Sequence, residues 1–383
     1  MRASVFLDHN ATTPVDPAVI AAMTPYWAEC AANPSSVHRA GVTARRAIDS
    51  ARERVAALVG VQPAQIIFTS GGSEANNLFL RGAAAVRRPG RVLVSAAEHA
   101  CVLRPARTLA RAGWQLAEVG LDGDGRIDAD HLREQAVDSG AGIASFIAAH
   151  NETGVLQDVP ALAEVARAAG AVVHTDAVQQ AGKLPLDFSA LNVDAMTLSA
   201  HKLYGPKGIG ALVVGKRLDL RAQIEGGGHE QGLRAGTENV PAIVGFGVAC
   251  ELAAARLAEE GVRQAALRDL LVGWLQAEGA MVFGAGAERL PNTVFFAFPG
   301  IDGATLLLAL DESGFALGSG SACSSSDHAP SPTLLAMGVS PDLARGAVRV
   351  SIGRGTSAAQ LQQFRAALAT CLAGLRGLTS IAV

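Results

Sequence analysis

The sequence predicts an α/β protein, with a large, mostly parallel sheet covered by helices and a second, smaller α+β domain. Short apolar, β-branched runs recur along the first half of the chain: IIFT (66–69), RVLVS (91–95), ASFIAA (144–149), AVVHT (171–175), AMTLS (195–199) and GALVVG (210–215). Between them, stretches such as VPALAEVARAAG (159–170) place apolar residues three and four apart, so strand and helix alternate at the spacing of parallel crossover units. The chain also has 383 residues, 49% of them hydrophobic, which is more than one core usually holds.

Each element follows in order. Asp16-Pro17 marks a helix start and Gly170 a helix end. Residues 240–280 read as one long helix bridging two domains. Beyond it come NTVFFAF (292–298), a helical run from Gly303, the short run FALGSG (315–320) and VRVSI (348–352). The expected division is a large domain over 14–255 and a small domain formed by 1–13 with 256–383.

Charged residues make up 17% and the formal net charge is −3, so no nucleic-acid or anionic-membrane partner is expected. The start, MRASVFLDHNATTP, carries no apolar run of signal-peptide length, and no uninterrupted apolar stretch is long enough to cross a bilayer. Cys30, Cys101, Cys250, Cys323 and Cys371 are scattered, with no CxxC pair, which fits neither a disulfide framework nor a zinc site. A soluble, cytoplasmic protein without a resident metal is expected. GALVVGKR (210–217) falls short of a Walker A loop, because Arg217 stands where Ser or Thr is required. GGGHEQG (226–232) is not a dinucleotide fingerprint.

Lys202 directly follows the buried run AMTLS, flanked by Ser199 and His201, at a strand end where open α/β sheets bind ligands. A half-buried lysine there is a nucleophile; alone, it is more simply a snorkelling side chain. Asp176 closes AVVHT, two residues after His174. A carboxylate at that position suits a pyridinium nitrogen, although alone it reads as a helix cap. TSGGSEANN (69–77) follows IIFT, and strand, Gly-Gly, Ser and helix together make a phosphate site or a plain tight turn. In the order glycine-rich turn, Asp, then Ser-x-His-Lys, the three describe a pyridoxal 5'-phosphate site with Lys202 as the lysine that holds the cofactor's aldehyde. Cys323 lies in GSGSACSSS (318–326), a polar stretch with almost nothing to bury, which presents a thiol rather than packing it. Cys101, Cys250 and Cys371 lie in helical patterns and read as small core hydrophobes.

LDHNATTPVDP (7–17), NPSSVH (33–38), Glu98-His99, HNETGVLQDV (150–159), HTDAVQQAGK (174–183), SAHKLYGPKGIG (199–210), GGGHEQGLRAGTEN (226–239), GSGSACSSS and VSIGR (350–354) occur in one order over nearly the whole chain. This set resembles the NifS/IscS-type cysteine desulfurases of the long-loop group. The resemblance implies the aspartate-aminotransferase-like fold (fold type I), pyridoxal phosphate, L-cysteine as substrate and a homodimer. It implies Gly72, Ser73, Ser199 and His201 at the phosphate, joined by Thr237 from the partner subunit. It implies Asp176 at the ring nitrogen, Asn151 and Gln179 at the ring oxygen, and His99 on the ring face and as a proton shuttle. Arg354 and Asn151 would bind the substrate, Arg354 at its carboxylate, and Cys323 would take the sulfur as a persulfide. The persulfide would pass to an acceptor protein such as an iron–sulfur scaffold, with Cys323 a candidate ligand to a cluster under assembly. His150 stands where the family often has Asn, and DHAPSP (327–332) departs from the family's loop. An aminotransferase or lyase of the same fold, a selenocysteine lyase and a non-catalytic sulfur-relay adapter stay open as rivals.

Overall fold

The computed structural model describes residues 4–136, 140–319 and 329–381. Its strands are β1 (Val5–Phe6), β2 (Ile66–Thr69), β3 (Arg91–Ser95), β4 (Gln115–Val119), β5 (Ala141–Ile147), β6 (Val172–Asp176), β7 (Ala195–Ser199) and β8 (Gly210–Val214). They continue as β9 (Met281–Val282), β10 (Thr293–Ala297), β11 (Phe315–Ala316), β12 (Gly318–Ser319) and β13 (Val348–Ser351). Among the described residues, seven strands form one sheet in the order β2-β8-β7-β6-β5-β3-β4. Pairs from β4 through β7 are parallel, and β8 runs antiparallel to both β7 and β2. Every residue of AMTLS in β7 is buried, as a central strand covered on both faces requires. The predicted strands are thus present, and β4 is an addition. QLAEV alternates exposed and buried residues, as an edge strand does, and lacks the continuous apolar run of its neighbours.

Helices cover both faces. One core holds Ile48, Phe68, Phe146, Met196 and Phe246, and the other holds Ile67, Phe79, Val92, Val94 and Leu212. The start at Asp16-Pro17 is as predicted: helix Pro17–Met23 is capped by the Asp16 side chain, which accepts from the Ala18 N–H. The helix Val159–Ala168 ends before Gly170, whose φ of 91° suits glycine.

A four-stranded antiparallel sheet, β12-β13-β10-β9, lies among the C-terminal residues, with a third core built on Leu271, Val294, Phe296, Val350 and Phe364. Leu7 joins this core, and β1 pairs with β11, so the first residues pack with the last third of the chain. Helix Val240–Ala277 runs between the cores, with Phe246 and Ala253 in one and Leu267 and Leu275 in the other. Gly247 lets it approach helix Arg39–Leu58, because a Cβ there would lie 2.7 Å from the Ala51 Cα. By length and composition this helix is apolar enough over 18 residues to cross a membrane, with mean hydropathy 1.6, although Glu251 and Arg256 interrupt its apolar run. Of that window, 56% is buried inside the protein, because the helix is a core element of two packed units.

Candidate active site

Parallel strands deliver their carboxyl ends to one edge of the sheet, and the site lies along it. His99 follows β3, Asn151 follows β5, Asp176 ends β6 and Ser199 ends β7, with Lys202 in the turn beyond. In register, Ile147 of β5 faces Asp176, Asp176 faces Thr197 of β7, and Ser199 faces Gly210 of β8. Gly72, Ser73, His99, Asn151, Asp176, Gln179, Ser199, His201 and Lys202 line one cavity of about 110 Å³ with Cys101, Ile147 and Val178.

Helix Gly72–Ala85 points its N-terminus into the cavity, and its N-cap, Gly71, offers no side-chain oxygen to the first turn. Its orphan backbone N–H groups and the helix dipole therefore favour an anion there. A Cβ at Gly72 would lie 3.0 Å from Val178 Cγ2, so glycine is what lets this turn close on the strand ends. Burial first, then Lys202, Lys207 and Lys183, lower the His201 pKa to about 4, which leaves a neutral imidazole beside this anion site.

Asp176 is 5% exposed. Its Oδ2 accepts from Asn76 Nδ2 at 2.7 Å and its Oδ1 from the Val178 N–H at 3.0 Å. The second bond is a local turn, so the helix-cap reading gives way to a carboxylate that two N–H donors hold facing the cavity. Glu98 is buried behind it, and burial first, then Asp176, raise its pKa well above the usual carboxylate value. Ser95 Oγ and the Ile147 N–H donate to Glu98 Oε1. Burial also lowers the His99 pKa; Lys202 and Arg104 lower it further and Asp176 opposes them.

Lys202 Nζ donates to the backbone carbonyls of Asn10 and Ala11, the latter at 2.8 Å. Gln179 is engaged from both ends of its amide: Nε2 donates to Asn10 O at 3.0 Å, and Oε1 accepts from Lys183 Nζ at 2.9 Å. Asn10 also donates through Nδ2 to Thr293 Oγ1 at 2.8 Å and to Asn151 O at 3.2 Å. It thereby ties the small sheet to the cavity. Sequence reasoning quoted its motif, HNATTP, without giving Asn10 a role.

Three predicted residues stand apart. Cys323 lies outside the described residues. Thr237 is exposed on the 226–239 segment and does not line the cavity. Arg354, expected at the substrate carboxylate, stacks its guanidinium on the Tyr204 ring at 4.1 Å and pairs with Asp16 at 3.4 Å. It lines a neighbouring cavity that meets the first at Lys202. Arg349 is 2% exposed and does not line the cavity; its Nη1 donates to Asn151 O at 2.9 Å and its Nη2 to Asp8 Oδ1 at 2.7 Å. The signal was in the sequence, as a cation inside the apolar run VRVSI, where burial requires partners. Cys101 is a correction. It is in a helix as read, yet it packs against the cavity and not in an apolar core. Cys250 is the fully buried core thiol that the sequence suggested.

An open helix N-terminus with Ser and His, a held carboxylate one strand away and a lysine between them fit the phosphate, ring nitrogen and aldehyde of pyridoxal phosphate.

The family model described as aminotransferase class-V matches residues 5–364. The chain is 44% identical over 364 residues to a cysteine desulfurase IscS of Anaeromyxobacter sp. (strain Fw109-5), covering 93% of this chain and 89% of that one. It superposes on a solved NifS-like protein with a TM-score of 0.91 at 34% identity, covering 97% of this chain and 100% of the other. It also matches SspA solved in complex with cysteine, with a TM-score of 0.80 at 32% identity, over 91% of this chain and 98% of SspA.

Proposed function

The chain belongs to the class-V aminotransferase family, and within it to the NifS/IscS-type cysteine desulfurases, and we propose that it converts L-cysteine to L-alanine and retains the sulfur as a persulfide on Cys323. Its fold is that of the type I pyridoxal-phosphate transferases. When bound, pyridoxal phosphate supplies an electron sink next to the substrate's Cα.

The protein's own groups do the rest. Ser73, Ser199, His201 and the backbone of Gly72 would hold the phosphate. Asp176 would keep the ring nitrogen protonated through its charge. Asn151 and Gln179 would bind the ring oxygen. Lys202 would hold the aldehyde, and its amine is the base placed to take the substrate's Cα proton. Arg354, which lines the adjoining cavity that meets this one at Lys202, would bind the substrate carboxylate through its planar fork. His99 handles a proton near the reacting sulfur.

The Cys323 thiolate attacks that sulfur. The new S–S bond forms as the substrate's Cβ–S bond breaks, the electron pair stays on carbon, and protonation there completes alanine. The transferred sulfur rises from the thiol level to that of S⁰ while Cβ takes the two electrons, so no external oxidant or reductant is needed.

The single observation that carries this reading is the convergence of Lys202, Asp176 and the open helix N-terminus at Gly72 on one cavity. The cysteine complex of the related SspA supports the substrate assignment. We further propose a cytoplasmic homodimer in which Thr237 of one copy completes the phosphate site of the other, and a sulfur-acceptor protein such as an iron–sulfur scaffold as the recipient. The deciding test incubates the purified holoenzyme with L-cysteine and measures alanine and enzyme-bound or released sulfur. Equal amounts of the two are expected; pyruvate and ammonia, or a keto acid from transamination, would contradict the reading.

A further inference from the structure

Helix Ala100–Arg111 begins under His99, whose side chain is its N-cap. The cap is local: His99 Nδ1 accepts the backbone N–H of Cys101 at 3.2 Å. A ring nitrogen that accepts an N–H carries no hydrogen of its own. The Cys101 Sγ lies 2.9 Å from the same Nδ1. With Nδ1 an acceptor, this contact is a hydrogen bond only if the thiol donates. The thiol has its proton to give, since burial first, then Asp176, push its pKa up to about 12.

The sulfur is placed from its other side as well. Asn76 is fully buried, and its Nδ2 gives one hydrogen to Asp176 Oδ2 at 2.7 Å and one to Cys101 Sγ at 3.0 Å. A continuous chain thus runs from the Asp176 carboxylate through Asn76 and Cys101 to His99.

We propose that Cys101 is a positioning residue for His99: its thiol, with the backbone N–H of the same residue, reserves Nδ1 as an acceptor and so sets the ring proton on Nε2. The inference rests on reading His99 as the group that serves the reacting atoms. Its consequence is that His99 meets the substrate as a fixed Nε2–H donor. Taking a second proton at Nδ1 requires both of these bonds to break, which adds to the lowering by burial. The charged and titratable groups facing this pair are Asp176 from β6, Lys202 beyond β7, His150 beyond β5, Glu98 beyond β3 and Arg104 on the same helix.

The test compares the holoenzyme with its Cys101→Ser and Cys101→Val variants, each labelled with 15N in histidine. Long-range proton–nitrogen correlation spectra report which ring nitrogen is protonated, with His99 assigned by its loss in His99→Gln. The wild type should show Nδ1 bare and Nε2 protonated. Cys101→Ser, which keeps a donor, should retain that pattern. Cys101→Val, which keeps apolar bulk and loses the donor, should bind a proton at Nδ1 several-fold to about tenfold more strongly, the worth of one hydrogen bond. A packing role predicts the opposite order, with Val tolerated and Ser not. That order, a protonated Nδ1 in the wild type, or three indistinguishable titrations would each overturn the proposal. The spectra do not depend on turnover, so failure to make alanine while the predicted order holds would count against the functional reading alone.

Discussion

Lys183 and Lys202 meet at Asn10: Lys202 Nζ donates to its backbone carbonyl, and Lys183 Nζ lies 3.3 Å from its side-chain Oδ1. Burial first, then Lys202 and Arg349, hold the Lys183 pKa well below the usual lysine range. Two amines therefore sit close together, yet only Lys202 lines the cavity with Asp176. Borohydride reduction of the holoenzyme should fix the cofactor to the peptide containing Lys202, and Lys202→Ala should lose turnover while retaining the fold. Label on Lys183 would overturn the assignment of the site lysine.

Asp176→Asn keeps the shape of the side chain but has one acceptor oxygen for the two donors that orient it, and it removes the charge that holds a proton on the ring nitrogen. The variant should still take up the cofactor and should exchange the substrate's Cα proton on the order of 10²-fold more slowly. Proton exchange followed by NMR in deuterated buffer checks this. Exchange at the wild-type rate would mean that Asp176 serves only its turn.

The two arginines separate by kinetics and stability. Arg354→Gln should lower kcat/KM for L-cysteine on the order of a hundredfold, the scale of one or two charge-assisted hydrogen bonds. Arg349→Gln should act on stability first, since its buried guanidinium is spent on Asn151 O and Asp8. Wild-type kcat/KM in Arg354→Gln would remove Arg354 from the substrate carboxylate.

His174 is fully buried, stacked on Phe79 at 4.6 Å, with its two nitrogens bonded to Ser145 and Thr197 at 2.8 and 2.9 Å. Burial lowers its pKa from 6.5 to about 3. The unfolded chain binds a proton here that the folded chain refuses. The stabilisation is thus whole above pH 6.5 and is lost as the pH falls toward 3. Between pH 6 and 4, this one group should steepen the loss of stability by about 1.4 kcal/mol per pH unit. Urea unfolding at several pH values should show that increment missing in His174→Gln. An unchanged slope would mean that His174 is protonated in the fold.

Much of this was legible in the sequence because the central strands advertise themselves. AMTLS and IIFT are continuous apolar runs at their observed limits, and each ends on a residue of the cavity or of the turn leading to it. The edge strand β4 was not legible, since QLAEV buries little. What the sequence left unread at the site has one cause: sequence order does not say which way a side chain turns. Arg354 and Arg349 stand five positions apart near the end of one strand, and only packing decides that Arg349 points to Asn151 while Arg354 turns to Tyr204. Cys101 fits a helical pattern, and only the approach of His99 and Asn76 makes it part of the site. Asn10 joins distant segments, from Lys183 to Asn292 and Ser351, and no local pattern announces such a junction.

The central claim is that the sulfur of L-cysteine passes to Cys323, and Cys101 is the internal control, because it is the thiol that lines the described cavity. With its pKa pushed up to about 12 by burial, Cys101 should be a poor nucleophile at neutral pH. Holoenzyme incubated with L-cysteine, alkylated and digested should show by mass spectrometry one added sulfur on the peptide containing Cys323 and none on that containing Cys101. Cys323→Ser should form no persulfide and release almost no sulfide while keeping the cofactor's absorbance. Added sulfur on Cys101, or full desulfuration by Cys323→Ser, would contradict the account.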